Sequence, residues 1–197
     1  MAEFGPSRRS GESGVKLQAE GKAGVPRLFF ALWPDAVVRD AIARQAQRLL
    51  AGNIAHARRT VPHRYHMTLM FLGACGVPLP RLIDAAGSVR SDRFTLTLDA
   101  CGGFRGKMGA WWVGCRQVPG GLVGLSRALA ASLAALGLED GERFAPHVTF
   151  ARSAIPLTAG AIDPIAWDVA SFALVESITG ARPEYIVHAS FPLAGAD

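Results

Sequence analysis

The amino-acid sequence predicts an α+β fold with a largely antiparallel sheet. Two observations support this prediction. Predicted strands outnumber predicted helices, and strands and helices do not alternate as a doubly wound parallel sheet requires. The predicted order is strand, helix, strand, helix, strand, strand, helix and then further strands.

The first two elements have clear boundaries. Residues 28–33 form a short apolar run that a Pro-Asp pair ends, and this pattern predicts a buried strand. Asp35 is a favoured helix cap. Apolar side chains on one face then predict a helix over residues 36–51, which Gly52 closes.

The later elements follow the same two periodicities. Helices are predicted over residues 80–90 and over the alanine- and leucine-rich segment 122–136. Glycines between residues 102 and 109 predict a flexible turn that joins a strand at 94–99 to a strand at 110–115. The remaining predicted strands are residues 66–72, 147–152, 168–176 and 184–191.

The start of the chain differs in composition from the rest. Up to Gly24 it contains five glycines and seven charged residues, and it shows no apolar periodicity. We therefore expect a disordered basic tail over residues 1–25, followed by a single domain over residues 26–193.

Composition excludes several classes of protein. Half of the 197 residues are apolar and 19% are charged, so wholesale disorder is excluded. No apolar run approaches the roughly 20 residues that a membrane helix needs. The three cysteines form no CxxC pair, which argues against a disulfide framework and favours a reducing cytoplasm. The net charge of +5 favours a polyanionic partner.

Two copies of one short motif carry the chemistry. Residues His66–Leu69 and His147–Phe150 both read His-x-Thr-apolar, and they lie 81 residues apart. Because strand side chains alternate, each histidine and threonine point to one face while the apolar pair points to the other. If the two strands lie side by side, two imidazoles and two hydroxyls converge on one small volume.

This combination of side chains suits displacement at a phosphodiester. Two imidazoles supply an acid and a base near pH 7. The hydroxyls of Thr68 and Thr149 are suited to donate hydrogen bonds to phosphate oxygens, and Arg152 adds a bidentate cation for the same anion. A zinc site is the weaker interpretation, because neither motif has a third ligand at a suitable spacing.

The motifs resemble the signature of the 2H phosphoesterase superfamily. The opening segment 27–35 and the runs 65–73 and 144–152, together with Leu174–Ser177 and Phe191–Leu193, are similar to the bacterial RNA 2′,3′-cyclic phosphodiesterases, also called 2′-5′ RNA ligases. The resemblance covers roughly residues 26–193.

The resemblance implies a fold and a reaction. The fold is bilobal, with two pseudo-symmetric lobes whose antiparallel sheets face a central groove and whose helices lie outside. The reaction converts an RNA 2′,3′-cyclic phosphate to a 2′-phosphomonoester, with possible reversible 2′-5′ ligation. His147 is then the base that activates water and His66 the acid, while Thr68, Thr149 and Arg152 hold the phosphate. Neither a metal, a cofactor nor an obligatory protein partner is implied, and a monomer is expected.

Other interpretations stay open from the residues alone. Within the superfamily, the substrate is either RNA, a small cyclic nucleotide or a cyclic phosphate derived from ADP-ribose. Outside it, the chain is an RNA-binding module with a vestigial site. Phe30 is a candidate for stacking on a nucleobase, whereas His56, His63 and His188 are expected to be ordinary surface or edge histidines.

Overall fold

The computed structural model describes residues 24–51, 57–138, 144–180 and 184–195, and it confirms the α+β prediction. These segments contain three helices: α1 (Ala36–Leu50), α2 (Leu79–Gly87) and α3 (Gly120–Ala134). They also contain nine strands: β1 (Arg27–Leu32), β2 (Ala57–Arg59), β3 (Met67–Ala74), β4 (Phe94–Gly103), β5 (Gly109–Gly114), β6 (His147–Ser153), β7 (Gly160–Val169), β8 (Ser171–Ile178) and β9 (Glu184–Pro192). Almost all of the predicted tail lies outside the described residues.

All nine strands belong to one sheet, and every pairing between them is antiparallel. The strand order is β7-β4-β5-β6-β3-β1-β8-β9, and β2 pairs with β6. The two strands that carry the motifs, β3 and β6, are therefore neighbours at the centre. Their pairing is confined to Met67 opposite Val148, so it joins two groups of strands that are each more extensively paired. The prediction of two pseudo-symmetric lobes stays a prediction.

The core lies on the face of the sheet that the helices cover. Met67 and Val148 have no exposed surface and pack in one cluster with side chains from α1 and α3, such as Ile42 and Leu125. The opposite face of β3 and β6 carries the motif histidines and threonines. None of the helices in the described segments is long and apolar enough to span a membrane.

Helix α1 begins where the sequence predicts. The carboxylate of Asp35 accepts a hydrogen bond of 2.8 Å from the backbone N–H of Val38, which satisfies one of the unpaired donors of the first turn. The predicted closure at Gly52 lies outside the described residues. The helix predicted over residues 122–136 is α3, which ends at Ala134, and Gly137 follows with a left-handed φ of 74° that is typical of a residue closing a helix.

Two of the predicted boundaries are wrong. The segment 168–176 is not one strand, because β7 ends at Val169 and β8 begins at Ser171. In the strand order, β7 lies at one edge of the sheet and β8 lies next to the strand at the opposite edge. The glycine-rich turn is also shorter than predicted. Gly102 belongs to β4, and glycine is required there because a Cβ would lie 2.6 Å from the indole of Trp112.

We expect Gly109→Ala to lower the free energy of unfolding by about 1–3 kcal/mol, because the added methyl group would collide with the carbonyl oxygen of Phe104. Gly124→Ala is the matched control: Gly124 is exposed within α3 and has open space around it, so alanine should raise the stability by roughly 0.5–1 kcal/mol. Urea unfolding of both variants measures the difference, and equal stability of the two would contradict the packing at Gly109.

Candidate active site

The antiparallel register places the two motifs directly against each other. Met67 lies opposite Val148, and extending this register by one residue sets His66 across from Thr149 and Thr68 across from His147. All four side chains are half-buried and line one cleft of about 720 Å³. The structure thus brings together the four residues that the sequence predicted to converge.

Both imidazoles are held in the same way. Nδ1 of His66 lies 2.8 Å from the carbonyl oxygen of Arg64, and Nδ1 of His147 lies 2.6 Å from that of Ala145. A carbonyl only accepts hydrogen bonds, so Nδ1 carries the proton in both rings. This arrangement leaves the lone pair on Nε2, where a neutral ring accepts a proton and a charged ring donates one.

Burial lowers the pKa of both histidines. For His66, loss of solvation lowers the pKa to about 4; the hydrogen bond to the Arg64 carbonyl opposes the shift, and the nearby charges of His147, Arg64 and Arg152 add to it. For His147, loss of solvation again lowers the pKa, with a further contribution from Arg152. Both rings are therefore mainly neutral at pH 7 in the free protein.

A bulge in β6 directs Arg152 into the cleft. Strict alternation would place Arg152, five residues after His147, on the buried face. The register against β5 shifts by one residue between Thr149 and Ala151, so Phe150 and Ala151 are both buried and Arg152 emerges beside the threonines. The predicted phosphate-binding arginine is therefore in the cleft, but for a reason that the strand pattern does not show.

A matching bulge in β3 directs Phe71 into the cleft. The register against β1 shifts after Thr68, and Leu69 and Met70 are both buried. Phe71, five residues after His66, then lies in the cleft with 46% of its surface exposed. Sequence reasoning missed this residue, although its spacing from His66 equals that of Arg152 from His147.

The prediction that Phe30 stacks on a nucleobase is wrong. Phe30 has no exposed surface and packs against Phe172 and Phe191 on the helix-covered face. The neighbouring Phe29 points to the cleft face instead, where its ring centroid lies 5.0 Å from that of His66. Phe29 rather than Phe30 faces the cleft because consecutive residues of a strand point to opposite faces of the sheet.

The two histidines have different aromatic surroundings. The ring of Trp33 stacks on His66 at a centroid distance of 5.5 Å and an interplanar angle of 16°. Tyr185 contacts the same imidazole edge-on at 5.2 Å, and Phe29 completes the enclosure. His147 has one aromatic neighbour among the described residues, Phe104, at 4.9 Å. His66 is thus the more enclosed of the two imidazoles.

The cleft is rich in cations. Besides Arg152, it is lined by arginines from β2 and from the short 3-10 turn at Pro62–Arg64, while no carboxylate lies among the described lining residues. These additional arginines are Arg58, Arg59 and Arg64, and the exposed His63 lines the cleft beside them. The segment from β2 to this turn thus forms one wall of the cleft.

The other histidines have simple environments. His63 is exposed at the cleft, and Nε2 of His188 lies 2.9 Å from a carboxylate oxygen of Glu176, which agrees with the prediction of a satisfied histidine in a strand. His56 lies outside the described residues. Within the described segments, no three His, Cys, Asp or Glu side chains are grouped so that they could hold a metal ion.

Comparison with known proteins agrees with the fold and the motifs. Residues 35–180 match the model of the 2′-5′ RNA ligase superfamily. A relative from Escherichia coli K12, named RNA 2′,3′-cyclic phosphodiesterase, is 33% identical over 130 residues, which are 65% of this chain and 72% of that protein. The crystal structure of E. coli LigT in apo form has a TM-score of 0.72 at 30% identity and covers 87% of this chain and 99% of its own.

A second solved structure supports the fold independently. The protein TT0787 of Thermus thermophilus has a TM-score of 0.72 at 26% identity and covers 87% of this chain and 100% of its own. The superfamily match extends over both histidine motifs and most of the described strands. The chain belongs to the 2′-5′ RNA ligase superfamily.

Proposed function

We propose that this protein hydrolyses RNA 2′,3′-cyclic phosphate ends to 2′-phosphomonoesters by general acid and base catalysis, with no metal ion. One observation carries the proposal: two imidazoles present Nε2 to a cation-rich cleft from adjacent strands, each across from a threonine hydroxyl. The E. coli relative, named RNA 2′,3′-cyclic phosphodiesterase, supports this choice of substrate.

The reaction needs one proton acceptor and one proton donor on opposite sides of the phosphorus. His147 accepts a proton from water at Nε2 as the water oxygen attacks the phosphorus. The bond from phosphorus to the 3′ oxygen breaks, and protonated His66 donates a proton to that oxygen. The product carries a 2′-phosphate and a free 3′ hydroxyl, and exchange with solvent returns the two imidazoles to their starting states.

Three further side chains bind the phosphate. Thr68 and Thr149 donate hydrogen bonds to the non-bridging oxygens, and the Arg152 guanidinium balances the negative charge. The exposed ring of Phe71 offers an apolar surface to the substrate at the same cleft.

The different burial of the histidines supports their roles. The lower pKa makes protonated His66 the stronger acid, which favours transfer to an alkoxide leaving group. Because its pKa is low, His66 is rarely protonated in the free protein. Substrate binding raises the protonated fraction, because a phosphate anion beside a buried imidazolium stabilises the charged form.

The same geometry accommodates 2′-5′ ligation. A 5′ hydroxyl of a second RNA replaces water, and His147 accepts its proton as the bond to the 3′ oxygen breaks. Cleavage of the 2′-5′ bond is the reverse reaction, in which the two histidines exchange roles by microscopic reversibility.

We expect the protein to convert an RNA with a 2′,3′-cyclic phosphate end to the 2′-phosphate with EDTA present.

His66→Ala and His147→Ala should each lower kcat by about 10²–10⁴-fold, because each removes a proton-transfer group. The double variant should be little slower than either single variant. His188→Gln, outside the cleft, is the matched control and should keep its activity. Formation of a 3′-phosphate would reverse the proposed orientation, and inhibition by EDTA would indicate a metal.

We expect kcat/KM for the cyclic phosphate to be bell-shaped in pH with an optimum below about 6.5, the ordinary pKa of histidine. In the active form of the protein, His66 and His147 together hold one catalytic proton. Both of their pKa values are lowered, that of His66 to about 4. Above the higher of the two values, kcat/KM should fall about tenfold per pH unit. The profile must be measured without phosphate buffer, and an optimum above pH 7 would contradict the lowered pKa values.

A further inference from the structure

The cleft holds more positive charge than the reacting group needs. A 2′,3′-cyclic phosphate carries one negative charge, whereas four arginines line the cleft. Arg58 and Arg152 lie directly opposite each other in the pairing of β2 with β6. Like charges in such a cross-strand pair destabilise a sheet, and an anion bound between them removes the repulsion.

Arg64 is separate from that pair and is held on the side of His66. Its guanidinium carbon lies 4.3 Å from the centre of the Tyr185 ring, and the Tyr185 ring also contacts His66. Among the described residues, no carboxylate lies within 4.0 Å of this guanidinium, and its buried Nε has no hydrogen-bond partner. Stacking fixes the guanidinium while leaving its N–H groups able to bind an anion.

The proposed reaction determines what lies on this side of the cleft. In-line attack places the water beside His147 and the departing 3′ oxygen beside His66. The ribose that carries this oxygen must therefore lie on the side of His66. In an RNA chain the next phosphate toward the 5′ end is attached to the same ribose, so it lies on that side as well.

We propose that Arg64, held by Tyr185, binds the internucleotide phosphate on the 5′ side of the cyclic end. This inference rests on the proposed function, and it makes an RNA chain, rather than a cyclic mononucleotide, the preferred substrate. A hydrogen bond between two charged groups at such a site should raise kcat/KM roughly 10- to 100-fold.

The test compares three substrates that differ in one feature at a time. The first is adenosine 2′,3′-cyclic phosphate with a free 5′ hydroxyl. The second is the adenosine dinucleotide with the same cyclic end. The third is that dinucleotide with an uncharged methylphosphonate linkage, which keeps both bases but removes the charge of the internucleotide phosphate. The ratio of kcat/KM for the second and third substrates isolates the contribution of that charge.

Three variants show whether Arg64 is responsible. Arg64→Gln should reduce this ratio from 10 or more to about 1, whatever it does to the rate on the mononucleotide. Arg64→Lys should keep part of the ratio because it keeps the charge but not the planar fork. Arg81→Gln removes an equal charge from the exposed surface of α2 and should leave the ratio unchanged. Thermal unfolding of each variant verifies that it is folded.

The outcomes separate the two proposals. A charge-dependent ratio that Arg64→Gln abolishes and Arg81→Gln preserves supports the subsite. Equal rates on the charged and neutral dinucleotides, or a ratio that survives in Arg64→Gln, overturn the subsite while hydrolysis of the cyclic end still supports the proposed function. A fourth substrate, the same mononucleotide with a 5′-monophosphate, covers the remaining case: a gain from its 5′ phosphate without one from the dinucleotide also overturns the subsite, in favour of a small phosphorylated nucleotide. No hydrolysis of any substrate by the wild-type protein overturns both.

Discussion

The active site depends on a single pair of residues, Met67 and Val148, which join β3 to β6. Both side chains are fully buried on the helix-covered face, and this burial determines which way the neighbouring residues point. A shift of the register by one residue would turn the histidine of one of the two strands into the core and break the site. The same buried pair that joins the two groups of strands thus also sets the two motif histidines on one face of the sheet.

The site shows a balance between solvation and hydrogen bonding. Enclosure by Phe29, Trp33 and Tyr185 makes a charged His66 costly, while the carbonyl of Arg64 stabilises the protonated Nδ1. Loss of solvation has the larger effect, so the ring is mainly neutral at pH 7.

The two motif strands use the same local geometry with different side chains. Each has a bulge just after its threonine, and each bulge turns the residue five places after the histidine into the cleft. In β6 that residue is Arg152, and in β3 it is Phe71. A repeated backbone arrangement therefore places a charged side chain in the cleft from one strand and an apolar side chain from the other.

The sequence by itself determined the fold class, the paired motifs and the shared face of each histidine with its threonine, because alternation in a strand and the burial of apolar residues are local rules. The adjacency of β3 and β6, which brings His66, Thr68, His147 and Thr149 together, was decided by the pairing of distant strands. The sequence did not determine the roles of Phe29, Phe30 and Phe71. One residue of register decides which of these rings faces the cleft, and bulges arise from pairing with a neighbouring strand. Nor did it place Arg64 against Tyr185, since contacts between residues more than a hundred positions apart exist only after the sheet has formed. The sequence thus contained the reacting groups, and the tertiary structure decided their surroundings, their pKa values and the charge around them.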